Sequence, residues 1–309
     1  MNETLPPLTP GTLYLVATPI GNLEDITLRA LRTLKECDVV AAEDTRRTGQ
    51  LLKHFGISKP MLSYFQFNEA KRSEEIIGRL QRGEKVALVT DAGSPGISDP
   101  GERVVKAAVA AGFRVESVPG PSALVAALTA SGLPTDEFHF IGFLPEKAGA
   151  RRTRLEELAA LSAKADATCT LIFYEAPHRI LDTLADLEAV WGPDLHVVVA
   201  RELTKIHEEF LRTTVAAARQ QLASRDRIRG EITLLVAPPA QALSGTRASV
   251  SQKIADRIAQ IQAEAGVDEK EALKRLAREL GQSKSDVYRE LQRERARLTA
   301  DSRGTRNAV

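Results

Sequence analysis

The apolar run Val86-Ala87-Leu88-Val89-Thr90 passes directly into Asp91-Ala92-Gly93-Ser94-Pro95-Gly96-Ile97-Ser98-Asp99-Pro100-Gly101, which holds three glycines, two prolines and two carboxylates. A strand must end there. Glycine permits positive φ and close backbone approach, and each proline fixes φ near about −65° without an N–H to donate. The segment therefore reads as a preset loop offering main-chain N–H and C=O groups to a ligand. For one Gly/Pro cluster taken alone, a tight strand-to-helix connection without a ligand explains the same residues.

The surrounding pattern decides what such a loop belongs to. From Gly11 to about Pro121, short β-rich runs alternate with amphipathic segments, which predicts βα units feeding a mostly parallel sheet. Leu13–Ala17, Val39–Ala42, Val86–Thr90 and Val115–Val118 are the expected strands, with helices at about 27–36, 45–55, 69–82 and 100–111, each linking neighbouring strands. Leu28, Leu31 and Leu34 mark the packing face of the first helix, with Asp25 or Thr27 as its N-cap. Pro119-Gly120-Pro121-Ser122, before the small-residue helix Ala123–Ala130, is the expected hinge.

The second half supplies strands at His139–Phe143, Cys169–Tyr174, His196–Ala200 and Ile232–Val236, with helices near 151–163, 178–190 and 214–223. A hairpin from Val199–Glu202 into Glu208–Thr213 makes this second sheet mixed. Beyond Pro238-Pro239, a polar stretch around Ser244-Gly245 reads as a linker. Helical periodicity then returns in Glu269–Leu280 and Asp286–Leu298, a helix-turn-helix-like pair. The expected organisation is a disordered leader (1–10), two α/β domains (11–120 and 121–240), and a linker with a basic helical domain (241–309).

Charge and cysteine content narrow the class. Net charge is +1, yet residues 241–309 carry 14 Lys/Arg and 10 Asp/Glu. A basic appendage on a near-neutral body suits a polyanion, although a solvated helical face gives the same count. No apolar run approaches the roughly 18 residues of a membrane span, and no secretion signal is evident at the N-terminus, so a cytoplasmic protein without a membrane partner is expected. Cys37 and Cys169, the only cysteines, sit in apolar or small-residue surroundings and read as buried thiols, with no metal site expected.

Further polar clusters fall at strand ends. Thr18-Pro19-Ile20-Gly21-Asn22-Leu23 is a second Gly/Pro turn, and open α/β sheets bind ligands at the carboxyl ends of their strands, so this loop and the Asp91 loop are expected to share a cleft if their strands are close. Neither is a dinucleotide fingerprint or a phosphate loop, which disfavours NAD and ATP. Glu43-Asp44-Thr45-Arg46-Arg47 packs charge at a helix start, where a phosphate grip and a simple cap with exposed ion pairs are both open. Tyr174-Glu175-Ala176-Pro177-His178-Arg179 and Ala200-Arg201-Glu202-Leu203-Thr204-Lys205 close two more strands.

These motifs, in this order and together with Val118-Pro119-Gly120-Pro121-Ser122-Ala123 and Gly230-Glu231, closely resemble a bacterial family, the small-subunit (16S) ribosomal RNA ribose 2′-O-methyltransferases of type I. That family is a branch of the tetrapyrrole methylase-like (class III) S-adenosylmethionine enzymes, and the resemblance spans about Gly11 to Ala237. It implies two α/β domains with S-adenosylmethionine in the cleft between them, a small C-terminal helical appendage, and a homodimer acting on 16S ribosomal RNA or the small ribosomal subunit. Carried over by position, Asp91, Ala92, Gly93, Ser94, Pro95, Ile97, Ser122, Ala123, Tyr174, Leu203, Gly230, Glu231 and Ile232 would contact the cofactor. Thr18, Pro19, Gly21, Asn22, Asp44, Thr45 and Arg46 would face the substrate.

Methyl transfer from a sulfonium is an in-line displacement that needs positioning and exclusion of water more than a metal. A ribose hydroxyl is weakly acidic, so a base or a cation beside it helps, and Asp44, Arg46 and His178 are the candidates. Asp25, Asp99, Glu175 and Glu202 read equally well as structural acids. The expected reaction is 2′-O-methylation of a decoding-region cytidine. Methylation of a tetrapyrrole or other small metabolite, and a noncatalytic RNA-binding assembly protein, are the competing readings.

Overall fold

The computed structural model of the chain describes residues 6–164, 169–237, 257–258, 261–262, 266–279, 287–289 and 291. The chain divides into two compact units, Met1–Pro238 and Pro239–Val309, and the first contains both α/β lobes.

In the first lobe, strands β1 (Thr12–Val16), β2 (Val39–Ala42), β3 (Met61–Ser63), β4 (Val86–Val89) and β5 (Arg114–Val118) form one parallel sheet in the order β3-β2-β4-β1-β5. Helices α1 (Leu28–Glu36), α2 (Thr45–His54), α3 (Glu69–Gln81) and α4 (Glu102–Ala110) cover both faces. Alternation along the strands assigns them. Tyr14, Val16, Val40, Ala42, Ala87 and Val89 pack with Ala30, Leu34 and Leu52 of α1 and α2. Leu13, Val39, Ala41, Val86 and Leu88 pack with Ile76, Leu80, Val104 and Ala108 of α3 and α4. With both faces covered, β2 and β4 are buried along their whole length, hence their unbroken apolar sequences.

Three expectations are corrected here. Consecutive strands are not generally neighbours: only β2 and β3 are, because β4 inserts between β2 and β1. The first helix does not bury a Leu28-Leu31-Leu34 stripe. Leu34 is buried and Leu31 packs partly buried against the same core, but Leu28 is 86% exposed and Ala30 and Thr33 are buried instead, since a strict three-residue spacing drifts around a helix of 3.6 residues per turn. Its cap is Thr27, whose Oγ1 accepts from the Ala30 N–H at 3.1 Å. Finally, residues 6–10 of the expected leader are tied to this lobe: the Arg32 guanidinium donates to the Pro6 carbonyl at 2.8 Å, and the Thr9 N–H donates to the Tyr14 hydroxyl at 2.7 Å.

In the second lobe, α5 (Ala123–Ser131) leads into β6 (Phe138–Phe143), α6 (Ala148–Lys164), β7 (Thr170–Glu175), α7 (Ile180–Trp191), β8 (His196–Arg201), β9 (Glu209–Thr214), α8 (Val215–Ala223) and β10 (Ile232–Val236). The sheet order is β6-β7-β10-β8-β9, with β6 and β7 parallel and the other pairs antiparallel, so the sheet is mixed and β8–β9 is the expected hairpin. One face packs on α6, α7 and α8 around Phe173, Ile180, Leu184 and Leu234. The other packs on Ala127 and Leu128 of α5 and also receives Ile20 from the first lobe. A buried ion pair joins α6 to α7: Arg151 meets Asp186 at 2.8 Å, their side chains 4% and 6% exposed, and Arg152 adds a bond at 3.0 Å.

The second unit contains helix α9 (Glu269–Glu279), where Ala272, Leu273, Leu276 and Ala277 pack with Ile258, Ile261, Val287 and Leu291. The expected linker at Ser244-Gly245, and most of the expected helix Asp286–Leu298, lie outside the described residues. Cys37 and Cys169 are buried free thiols. Among the described residues, no helix is long and apolar enough to cross a membrane.

Candidate active site

The insertion of β4 beside β1 places their two carboxyl-terminal loops side by side. Thr18 and Gly93 exchange backbone hydrogen bonds at 2.9 and 3.0 Å, and the Thr18 hydroxyl donates to the Thr90 carbonyl at 3.0 Å. Gly93 holds φ at 80°, and Gly101, at φ 146°, lies so close to Gly96 that a Cβ there would meet the Gly96 nitrogen at 3.2 Å. The loop is thus folded on itself and presents main chain to the space between the lobes.

That space is a cleft of about 300 Å³. Of the residues expected at the cofactor, Ala92, Gly93, Ser94, Ile97, Ser122, Ala123, Tyr174, Leu203, Gly230, Glu231 and Ile232 line it. Two do not: Pro95 is buried within its loop, and Asp91 lines a neighbouring cavity. The last strand runs Ile232–Val236 as expected, and Gly230 sits in the preceding turn at φ 91°. Tyr174 presents its ring between Phe140 and Phe143, both edge-on, at 4.9 and 5.8 Å.

Asp99 also lines the cleft. Burial, reinforced by the nearby Glu43 carboxylate, pushes its carboxyl up to about 6. Glu175 lines the cleft as well but is fully engaged, accepting from the Ala176 N–H, the Arg179 guanidinium and the Thr183 hydroxyl at 2.6–2.9 Å. It fastens the turn into α7.

A second cavity of about 410 Å³ adjoins the first, and Ile20, Ala92 and Glu231 line both. Thr18, Pro19 and Gly21 line it as expected of substrate-facing residues, together with Arg47, Gln50, His54, Asp91 and Lys205. Asn22, Asp44, Thr45 and Arg46 do not line it. Asn22 Oδ1 accepts from the Glu24 N–H, and the Asn22 N–H donates to the Thr204 hydroxyl at 3.0 Å. Asp44 caps α2 through the Arg46 N–H at 2.8 Å and grips the Arg46 guanidinium at 2.8 and 3.1 Å. Those bonds hold the Asp44 carboxyl down at about 2, which makes it a poor base. Arg46 is 87% exposed along its side chain.

His178 is not brought to either cavity. It is exposed at the turn before α7 and borders a separate hollow with Leu181, Leu222 and Arg225. Among the described residues, no group of three or more His, Cys, Asp or Glu side chains is arranged to hold a metal.

One further loop stands at the junction of the cavities. Glu202 and Thr204, after β8, hold φ at 53° and 63°, a costly conformation for residues with a Cβ. Gly21 and Gly230 press on this loop: a Cβ on Gly21 would lie 2.5 Å from Lys205 Cγ and 2.9 Å from the Leu203 carbonyl, and one on Gly230 would lie 2.3 Å from Glu202 Cγ. Lys205 Nζ bridges Glu202 at 2.7 Å and Glu231 at 3.0 Å.

A two-lobed α/β body whose parallel first sheet aims its β4 loop into a cleft against a mixed second sheet defines a class, and the family model agrees. Residues 12–219 match Tetrapyrrole (Corrin/Porphyrin) Methylases, and the chain belongs to that family. The chain is 46% identical over 283 residues to a ribosomal RNA small subunit methyltransferase I of Halalkalibacterium halodurans, covering 90% of this chain and 93% of that protein. Among solved structures, a cobalt precorrin-4 methyltransferase of cobalamin biosynthesis matches at TM-score 0.55 and 21% identity, over 75% of this chain and 96% of its own. A uroporphyrin-III C-methyltransferase of Thermus thermophilus, complexed with S-adenyl homocysteine, matches at TM-score 0.51 and 20% identity, over 74% and 99%.

Proposed function

We propose that the protein is an S-adenosylmethionine-dependent methyltransferase of small-subunit ribosomal RNA that methylates the ribose 2′-oxygen of a decoding-region cytidine. The observation that carries this reading is the pair of adjoining cavities with a shared wall, one mostly apolar and one lined by charged and polar side chains. The identity to ribosomal RNA methyltransferases over most of the chain supports the RNA substrate.

The cleft residues fit the cofactor. The Gly93 backbone leaves open a cradle in which a Cβ would stand 3.5 Å from Ile20, the walls around Tyr174 and Ile232 are apolar, and Asp99 supplies a carboxylate for a cationic ligand. S-adenosylmethionine, when bound, supplies an electrophilic methyl group on a sulfonium. The S-adenyl homocysteine complex of the Thermus methyltransferase is consistent with this assignment. Asp99 would ionise against the cofactor's positive charge, Tyr174 and Leu203 would exclude water, and the Thr18–Gly93 pairing would fix the floor on which donor and acceptor meet. Arg47, Gln50 and His54 on α2 would position the RNA strand in the second cavity. The assembly is a homodimer working on the small subunit in the cytoplasm, with a mass of two chains expected by light scattering.

The test is incubation with methyl-labelled cofactor and small subunits, naked ribosomal RNA or a porphyrin precursor, followed by location of the label. Label on a cytidine ribose oxygen is the expected result. Label on the porphyrin, on a nucleobase, or nowhere despite cofactor binding overturns the reading.

A further inference from the structure

The two side chains nearest in type to an acid–base pair for this reaction, Asp44 and Arg46, neutralise each other at the start of α2 and line neither cavity. The group left at the junction of the cavities is Lys205. We propose that Lys205 faces the acceptor oxygen and stabilises the negative charge that develops there, with Glu231 receiving the hydroxyl proton. The inference rests on the function proposed above.

Position comes first. Lys205 lines the second cavity, Leu203 two residues earlier lines the first, and Glu231 lines both, so the ammonium stands beside the passage from one to the other. Rigidity comes next. The loop is held between Gly21 from the first lobe and Gly230 from the second, neither of which has room for a Cβ. The Asn22 N–H bonds to the Thr204 hydroxyl, the Thr204 N–H bonds to Glu208 at 2.6 Å, and the Glu231 N–H bonds to Glu202 at 3.1 Å. Two left-handed residues in one four-residue stretch persist only where the surroundings over-determine them, and such strain gathers at functional sites.

Charge completes the case. Burial opposes the Lys205 charge, but the bonds to Glu202 and Glu231 outweigh it and hold the ammonium above its ordinary range. It therefore acts as a fixed cation, and two of its three N–H groups meet carboxylates, leaving a third for another oxygen. Glu231 is 71% exposed along its side chain, so a proton taken there passes on to solvent. The balance is complete: the oxygen–methyl bond forms as the sulfur–methyl bond breaks, the bonding pair returns to sulfur, and the hydroxyl proton leaves through Glu231 to water. A preorganised donor aimed at a developing oxyanion needs no reorganisation at the moment of reaction.

The experiment compares wild type with Lys205→Met, Lys205→Arg and Glu231→Gln. Calorimetry measures S-adenosylmethionine affinity, thermal melting measures folding, and steady-state kinetics on small subunits separate kcat from KM. Loss of one such donor predicts that Lys205→Met lowers kcat about 10²–10³-fold while cofactor affinity and RNA KM stay within about threefold. Lys205→Arg should recover part of the rate, because a guanidinium keeps the charge but not the geometry. Glu231→Gln should lower kcat by more than any change it causes in cofactor affinity. An unchanged kcat in Lys205→Met, or a loss matched by lost cofactor affinity, overturns the role of Lys205. Unchanged kcat in Glu231→Gln overturns its role as proton acceptor. If Lys205→Met does not fold, Lys205→Arg with wild-type kcat also overturns the requirement for an ammonium. These outcomes presuppose methylated RNA in the wild type, so a failure of the proposed function is seen separately.

Discussion

The two adjoining cavities are built by different means. The cleft expected to hold the cofactor is made of backbone and apolar wall, with Gly93, Ala92, Ser122 and Ile232 around Asp99. Its neighbour adds to an apolar and polar lining two charged pairs: Arg47 with Asp91 at 3.1 Å, and Lys205 with Glu231 at 3.0 Å. A main-chain cradle recognises one ligand shape and tolerates few changes in it. A lattice of ion pairs presents charge to a strand that other contacts position. Both cavities draw on both lobes, the first through Gly93 and Ile232 and the second through Arg47 and Lys205, so neither is complete in one lobe alone.

The largest expected effect lies outside both cavities and acts as a control on the contrast. Asp186→Ala strips the partner from Arg151 and should cost about 3–5 kcal/mol of stability in denaturant titrations. The folded fraction should retain its cofactor affinity and kcat, and a change in either would show that α6–α7 packing shapes the site.

Next in size is Asp99→Ala, which should weaken S-adenosylmethionine binding by about 1.5–3 kcal/mol, the worth of a hydrogen bond to a charged group. Because the Asp99 carboxyl sits near 6, affinity in the wild type should rise as pH increases from 5 to 7 and the carboxylate forms. Stability of the free protein runs the other way. The folded pKa is above the unfolded one, so this group's contribution is fullest below about 3.8 and is lost as pH rises through about 6. Calorimetry and melting curves across that range test both signs, and a flat affinity profile removes Asp99 from the cofactor site.

Gly21→Ala forces a methyl group against the Leu203 carbonyl and should cost about 1–3 kcal/mol, the range for overpacking, with a fall in kcat. Equal kcat in this variant would show that the lobe contact does not align the two cavities. The smallest effect is expected at Asp44→Asn. Asparagine keeps the cap, so kcat should stay within about twofold of wild type. A drop of two orders of magnitude would instead make Asp44 the base.

Much of this was legible in the sequence because it is local. Both Gly/Pro loops, the strand runs and the caps follow from neighbouring residues, and most of the positions that line the first cleft follow from motif resemblance. The rest depends on residues far apart in the chain. Strand β3 has only three residues, too few for a period to show. The insertion of β4 between β2 and β1 leaves no trace in either strand's composition. Asp99 and Asp91 look alike in sequence, and only the fold of their loop sends one to each cavity. Lys205 closes the Ala200–Lys205 motif, three residues after Glu202, but its place at the junction is set by Gly21, across the lobes. His178, chosen for its chemistry, was turned away by the geometry of the turn before α7.

The insertion of β4 has a consequence for biosynthesis. Strand β1 hydrogen-bonds only to β4 and β5, so its apolar residues have no strand partner until residue 86 and those after it have been made. Strands β2 and β3 can pair earlier, as an isolated two-stranded fragment. The emerging polypeptide therefore carries an unsatisfied edge through much of the translation of its first lobe, a stage at which such segments are prone to aggregate. In the folded chain β4 bridges the two fragments, and the loop that follows it seats Gly93 against Thr18.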